Sequence, residues 1–472
     1  MLAILENVVG TISNFFWGPP LFIMVLGTGL YLTIAFKGAY QRNWGFHWKN
    51  TFGKMFAGKG EGEGTVSGFA AACTAIASTI GTGNVSGVAV AITMGGPGAI
   101  FWMWMTAMVG MSTKAAEIIL GQRYRVKFES IDEYLCGRNY VMKNAMGWHG
   151  LAFVLAWQAV LTAPWSLLVQ TNAVADSLNQ AFGLPVMFGI LFVIISLGVT
   201  IIGGVRRIAS VADKIVPFMA ALYIIGGILL VLKNYALIPS VFASIVRHAF
   251  TPIAPVGGFA GASVAAATRW GIARGVYSNE SGMGSGMGAH AAAVTDHPVR
   301  QASWGWGENL IDTLIVCTIT GFAILFTQVH ITHPNADGAA LTTAAFQVAF
   351  GQFGGYVVAV ASLLFAWTTL LSAYYANEKS LNYIFGDTTA NKTATYLFIA
   401  YFLFPILLSG ADTGFLWLVT DTATIIGVVA TIVIIWTTRQ EIIRLHNDFY
   451  DRYLPALERG ENPSVVSYVS KP

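Results

Sequence analysis

The residues with the most chemistry to offer are polar positions inside an otherwise apolar stretch. Between Ala72 and Ile92 the chain reads ACTAIASTIGTGNVSGVAVAI, with Ser78, Thr79, Gly81, Thr82, Gly83, Asn84, Ser86 and Gly87 at its middle. Together they offer hydroxyl, amide and main-chain groups, and no nucleophile–base pair. Hydroxyl, amide and freed carbonyl oxygens suit a hard cation, and main-chain N–H groups at a helix start suit a carboxylate. Three glycines within seven residues, at 81, 83 and 87, weaken the helix there, each by about 1 kcal/mol relative to alanine. Uncoiled main chain facing lipid costs several kcal/mol per unpaired group, so such a break survives only beside a cavity or other protein. The plainer use of these glycines is close helix packing, since Gly83 and Gly87 also form a small-xxx-small pair. The spacing G-x-G-x-x-x-G, with no strand before it, is not a dinucleotide fingerprint. The expected structure is a discontinuous transmembrane helix lining a binding site.

The second half carries a matching interruption, WGIARGVYSNESGMGSGMG at Trp270–Gly288. Paired broken segments, one in each half, are the best sequence pointer to the substrate site of a secondary transporter. Thr79, Gly81, Thr82, Gly83 and Asn84 are the expected substrate contacts of the first break, and Asn279 that of the second. Thr74, Ala75 and Ser78 are expected to turn oxygens to a cation, opposite Thr368 and Thr369, with Ser372 nearby. The plainer fate of such hydroxyls is a bond back to their own helix. Gln158, Thr162, Ser166 and Gln170 recur every four residues on one helical face, followed by Asn172 and Asp176. A polar stripe in lipid is costly unless it faces a cavity or a partner helix. Gln170 is the expected ligand of that stripe, for the substrate or for the break itself. Arg274, Glu280, Glu308 and Asp312 are read as structural or gating groups. Glu280 would pair with Arg274 or hold the loop; Glu308 and Asp312 would pair with Arg300 or Arg274. His330 and His333 have no third ligand near them, so a metal site there is not expected.

The elements that must position these groups follow from composition. Of 472 residues, 55% are hydrophobic and only 10% charged, against about 25% charged in soluble domains. Apolar stretches of about 20 residues, each enough to cross a bilayer core, recur about eleven times, from Pro19–Phe36 to Phe415–Thr437. Nearly all of the 26 lysines and arginines fall in alternate loops; the exceptions are Lys114, Lys233, Arg247, Arg269 and Arg274. By the positive-inside rule this places the N-terminus outside and the C-terminus in the cytoplasm, in a multi-pass plasma (inner) membrane protein. Setting the first helix aside leaves five plus five, each half starting with a broken helix and running in opposite senses. The expected fold is thus all-α, with about eleven transmembrane helices: a 5+5 inverted repeat plus one extra N-terminal helix. Residues 1–63 would hold that helix and a basic cytoplasmic loop. Residues 64–235 would be the first repeat, 236–437 the second with a helical outer lid over 327–348, and 438–472 a cytoplasmic tail.

A net charge of +3 and the lack of a basic–aromatic tract exclude nucleic acid as a partner. The scattered Cys73, Cys136 and Cys317 suggest neither a disulfide framework nor a zinc site, and MLAILENVVG has no basic n-region of a signal peptide. The partners implied are a small solute, a monovalent cation and the lipid bilayer. No enzyme activity and no cofactor is implied, only co-transported Na+ or H+. A channel-like pore and a non-transporting membrane sensor are the alternatives on the same pattern.

The residues at Gly81–Arg125, GTGNVSGVAVAITMGGPGAIFWMWMTAMVGMSTKAAEIILGQRYR, resemble the alanine or glycine:cation symporter family. So do QTNAVADSL at Gln170–Leu178, GVYSNESGMGS from Gly275, and AHAAAVTDHPVRQ ending at Gln301. This family is part of the amino acid–polyamine–cation group, with the leucine-transporter type of fold, and the resemblance covers nearly the whole chain. It implies Na+- or H+-driven uptake of a small neutral amino acid of the alanine or glycine kind. The substrate carboxylate would sit near Thr79–Asn84, Gln170 would contribute, and sodium would lie between the first broken helix and Thr368–Thr369. The chain departs from the family in WTTLLSAYYANE, where Ala373 replaces a tryptophan, and in ATIIGVVA of the last span. Loss of the indole would enlarge the pocket for a larger neutral amino acid such as glutamine.

Overall fold

The computed structural model describes residues 11, 15–55, 58, 62–254, 262–333, 336, 338–404, 406 and 413–464. The expected span boundaries at Gly258 and Ser409, the basic residues Lys59 and Lys471, and the side chains of Ser166 and Asp176 lie outside the described set. Within it, each expected apolar stretch carries a helix. Four helical stretches, Arg206–Lys233, Pro298–Thr327, Gln352–Phe385 and Thr422–Glu458, are long and apolar enough to cross a bilayer alone; a bent pair makes a fifth.

Helix α1 (Pro19–Ala35) starts on two prolines, whose fixed φ suits a first turn. Helix α2 (Gly68–Thr79) is capped by Ser67, whose hydroxyl accepts from the Ala70 N–H at 3.1 Å. Its winding stops at Ile80 (φ −78°, ψ 92°) and resumes as a π turn over Gly83–Gly87, leading into α3 (Val88–Gly95). The two halves meet at 49°. Helix α4 (Gly98–Arg123) follows, then a small antiparallel hairpin of β1 (Val126–Phe128) and β2 (Glu133–Leu135), with Val126 opposite Leu135. Helix α5 (Arg138–Met146) leads into α6 (His149–Phe182), which contains Pro164. Proline removes one helical N–H beside the polar stripe.

Helices α7 (Val186–Ile201) and α8 (Gly204–Lys233) are followed by the amphipathic α9 (Ile238–Phe250). Helix α10 (Val264–Asn279), capped by Ser263, ends at Glu280 in the left-handed conformation, φ 53°. A turn and the short α11 (Ser285–Ala289) follow. Next come α12 (Trp304–Asn309), a π run over Leu310–Cys317, and α13 (Thr318–Thr327). The last elements are α14 (Gly338–Phe350), α15 (Gln352–Phe385), α16 (Thr389–Leu403) and α17 (Thr413–Asp448).

Two features depart from the sequence expectation. The strictly all-α reading meets the β1–β2 hairpin, whose three-residue strands are too short to leave a period-2 signal. Helix α9 occupies what reads as a loop, because Arg247, His248 and Pro239 interrupt its apolar pattern. It lies against α4, where Trp102 donates to the Ala249 carbonyl at 3.3 Å.

Packing gathers the broken rods at the centre. Helix α2 lies between α8 and α15, α10 runs along α4, and α15 runs along α6. Gly121 makes the α4–α11 approach possible: a Cβ there would lie 2.4 Å from the Met287 carbonyl oxygen. One apolar core surrounds α3, α4 and α8, and a second joins α6, α7, α15 and α16. Outward, Leu161, Ile195, Phe218, Ile225, Leu229 and Leu397 are exposed. Such a belt is a liability in water and a natural surface for lipid.

Candidate functional site: a cavity between two helix breaks

Both breaks border one cavity of about 280 Å³. From the first come Ser78, Thr79, Gly81, Thr82 and Gly83; from the second, Tyr277, Glu280 and Met283–Ser285. Helix α6 adds Gln158, Thr162 and Gln170, and α15 adds Thr369, Ala373, Asn377 and Lys379. Cys136 and Gly137, after the hairpin, and Arg138–Tyr140, at the start of α5, complete the wall. Helix α14 lies on the π turn of the first break, with Thr342 donating to the Val85 carbonyl at 2.9 Å.

The main chain of the first break is reachable because its residues are small. A Cβ on Gly81 would lie 2.6 Å from the Thr369 hydroxyl, and one on Gly83 would lie 3.3 Å from the Tyr277 ring. Thr82 Oγ1, Gln170 Oε1 and Glu280 Oε2 are enclosed polar atoms without a hydrogen-bond partner among the described residues. All three residues line the cavity.

Asn84 and Asn279, expected on the substrate, are turned away from the cavity. Asn84 is fully buried; its Oδ1 accepts from the Gly81 N–H at 2.9 Å, and its Nδ2 donates to Asp312 Oδ1 at 2.6 Å. It braces the uncoiled turn whose donors a regular helix would have satisfied. Asn279 does the same for the second break, accepting from the Ser281 N–H at 3.0 Å and reaching Thr106 at 3.4 Å.

The expected cation ligands divide. Thr369, which also bonds back to the Phe365 carbonyl at 2.9 Å, reaches the Ala77 carbonyl at 3.2 Å, and Ser372 donates to the Thr74 carbonyl at 2.9 Å, so two α15 hydroxyls meet two α2 carbonyls. Thr368 does not join them: it bonds back to Leu364 and Phe365 and lies 3.4 Å from Met219 Sδ. Adjacent helical residues point about 100° apart, so the pair cannot share one target. The Thr74 hydroxyl bonds back to Ala70 at 3.0 Å, leaving its carbonyl as the group on offer. Ala75 is buried within α2. Ser78 departs from the cation role, donating instead to Glu280 Oε1 at 2.7 Å.

The charged groups are paired differently from expectation. Glu308 meets His290 at 2.6 Å and Lys114 at 3.7 Å, and Lys114 also donates to Ser285 at 3.0 Å. Asp312 accepts from Asn84, Ser278 and Thr313. Arg300 is engaged elsewhere, with Asp296 at 2.6 Å and Asn50 at 3.1 Å. Arg274 lies over the rings of Trp270 and Tyr277, at 5.4 and 5.9 Å. Glu117 accepts the Gly282 and Gly286 N–H groups at 2.7 and 3.1 Å, stabilising the uncoiled second break by charge-assisted bonds. Neither Glu117 nor Lys114 is conspicuous in the sequence except as a charge in an apolar run. Arg138 and Lys379 escape notice because they read as ordinary loop cations. Among the described residues no group of His, Cys, Asp and Glu is arranged to hold a metal ion.

Two interrupted helices that share a cavity inside a lipid-facing bundle define a membrane transporter. The fold agrees with solved transporters. The nucleobase-cation-symport-1 family transporter Mhp1 superposes with a TM-score of 0.52 at 13% identity, over 82% of this chain and 79% of that one. An Eremococcus coleocola manganese transporter gives 0.50 at 12% identity, over 84% and 88%. A model of the sodium:alanine symporter family matches residues 2–465. The chain is 40% identical to the Bacillus subtilis transporter YflA, over 93% of this chain and 92% of the relative. It is 37% identical to the sodium/alanine symporter AgcS of Methanococcus maripaludis, over 88% and 91%. It is 34% identical to the probable sodium/glutamine symporter GlnT of Bacillus subtilis, over 84% and 80%. The chain belongs to the sodium:alanine symporter family, whose members are transporters and not enzymes.

Proposed function

We propose that the protein is a symporter that couples a Na+ gradient to uptake of a small neutral amino acid by alternating access. The observation that carries this reading is the cavity bounded by the main chain of both breaks, with Gln170 on one wall and Thr369 on another. A zwitterion needs acceptors and donors in one enclosed place, and uncoiled half-helix ends supply both. The cation would bind among the Thr74 and Ala77 carbonyls and the Thr369 and Ser372 hydroxyls, an all-oxygen set that suits Na+ better than a proton. The names of relatives, a sodium/alanine symporter and a probable sodium/glutamine symporter, favour the same class.

The remaining architecture is read with it: an N-terminus outside, a C-terminus inside, and residues 64–235 and 236–437 as inverted repeats. On that orientation Arg138 and Lys379 lie on the cytoplasmic side of the cavity, and α14, against the π turn of the first break, on the outer side. Ala373 on the cavity wall leaves space for a side chain larger than that of alanine, as in glutamine.

The test is uptake of labelled neutral amino acids by the protein reconstituted in liposomes, with and without an inward Na+ gradient. Concentrative, saturable uptake that follows the gradient is expected. Uptake indifferent to Na+ would remove the cation assignment, and no uptake of any neutral amino acid would remove the function.

A further inference from the structure

Resting on the symport reading, we propose that Glu280 is a substrate-contacting residue: its free carboxylate oxygen receives the ammonium group of the transported amino acid, with Gln170 as the second acceptor. The backbone of Glu280 is left-handed, φ 53°, at a position flanked by Gly282 and Gly284, which adopt φ 94° and 81°. A glycine would occupy such a conformation without strain, whereas a residue with a side chain is strained there. What the position gains from glutamate is therefore the carboxylate. Ser78, from the other broken helix, donates to Oε1 at 2.7 Å and fixes the carboxylate's direction. Among the described residues Oε2 is enclosed and has no hydrogen-bond partner, yet Glu280 lines the cavity.

Gln170 repeats the pattern from the facing helix. It is 8% exposed, lines the same cavity, and its Oε1 also has no partner. Buried acceptors without donors are costly, so two of them on one cavity describe the ligand that completes them. That ligand must bring several N–H donors and, for the carboxylate, positive charge. A primary ammonium has three N–H groups in a compact head and matches on both counts. The substrate's carboxylate is then left to the main chain of the first break beyond Gly81, whose own N–H is held by Asn84. A hydroxy acid of the same shape would present one O–H and no charge, leaving an acceptor unmet.

The experiment is competition against labelled alanine uptake by the reconstituted full-length chain. Alanine is compared with lactate, in which a hydroxyl replaces the ammonium, and with N-acetylalanine, in which the charge is lost. In the native chain alanine should compete at least about 100-fold better than lactate, since sites built around a buried polar group reject analogues that leave it unpaired. Glu280→Gln should raise KM for alanine at least about tenfold, with a smaller change in kcat, and cut the alanine-to-lactate preference by a similar factor. Ser78→Ala should move both quantities the same way by less, and it keeps the idea testable should Glu280→Gln fail to reach the membrane. The proposal is overturned if lactate or N-acetylalanine competes with the native chain as well as alanine does. It is equally overturned if Glu280→Gln depresses transport with the preference unchanged, as a purely structural or Na+-binding role would. A native chain that takes up no neutral amino acid removes the symport reading itself, a separate failure.

Discussion

Asn84 and Asp312 are joined by a 2.6 Å hydrogen bond at the centre of the bundle, between the first helix break and the π run after α12. The Asn84 carbonyl oxygen of the side chain meanwhile holds the Gly81 N–H, and Ser278 from α10 donates to both Asp312 oxygens, at 3.0 and 2.9 Å. One fully buried carboxylate thus fastens the first break, α10 and the π run after α12 to one another. Removing Asn84 would leave the Gly81 N–H unsatisfied and Asp312 short of a donor. Asn84→Ala is expected to destabilise the protein by about 2–4 kcal/mol, each lost buried partner costing about 1–3 kcal/mol. The check is the thermal midpoint of the detergent-purified protein. An unchanged midpoint would mean that Asn84 is not the brace described.

A pH effect is expected outside the membrane, at Glu133 of β2. Burial pushes its pKa up to about 7, against partial relief from Lys379 and from the Tyr375 hydroxyl, which donates at 2.8 Å. An acid whose pKa is higher folded than unfolded holds its proton longer in the folded state. Its stabilising contribution is then full below the unfolded value near 4.5 and is lost as pH rises towards 7. The loss across that window is about 3 kcal/mol at most. Glu133→Gln should flatten this slope, leaving the part owed to its carboxylate neighbour Glu378, so that native and variant midpoints agree at pH 4.5 and the variant is the more stable at pH 8. Parallel curves would place the pH sensitivity elsewhere.

How far the sequence carries depends on the scale of the feature. The two breaks were readable because glycine and hydroxyl residues cluster where lipid would forbid loose backbone, and that rule needs no tertiary knowledge. The direction of each side chain within a break was not readable. Asn84 lies in the π turn and Asn279 at the last residue of α10, where helical spacing no longer fixes a face, so their choice of bracing the backbone over facing the cavity is set by Asp312, in the π run after α12, and by Thr106 of α4. Gln158, Thr162 and Gln170 lie on a regular helix, where spacing does fix the face, and all three line the cavity. Glu308 and Asp312 were assigned arginine partners because arginine is the common partner of a carboxylate; their neighbours His290, Lys114 and Asn84 come from distant segments. The three-residue strands of the hairpin are too short to leave a pattern, and in α9 Pro239, Arg247 and His248 interrupt it.

The division between Thr368 and Thr369 predicts unequal roles in cation dependence. Thr369 touches the Ala77 carbonyl and the cavity, whereas Thr368 faces Met219. Thr369→Ala should raise the half-saturating Na+ concentration for uptake by about tenfold, the usual scale for losing one ligand hydrogen-bonding group of about 1.4 kcal/mol. Ser372→Ala should act in the same sense. Thr368→Ala should leave the Na+ dependence within about twofold, since it removes a bond back to its own helix. Equal effects at 368 and 369 would contradict the cage formed by α2 carbonyls and α15 hydroxyls.

Ala373 sits one residue beyond Ser372 and lines the cavity on the same helix as Thr369. Its methyl group marks a place where the wall carries little volume, next to Ala376 and opposite the Gln158–Thr162 edge of α6. Size selection in an enclosed pocket is steric, and overfilling it costs about 1–3 kcal/mol per misfit, or roughly 5- to 150-fold in affinity. Ala373→Trp should therefore penalise large neutral amino acids much more than glycine and alanine, which need only the space nearest the breaks. Competition profiles of labelled alanine uptake against glycine, alanine and glutamine should shift towards the smaller pair by at least about tenfold. Because the indole would occupy space that no small substrate uses, KM for alanine should change little. A profile that keeps its order after the substitution would mean that the substrate side chain does not point to α15, and that specificity is set at another wall.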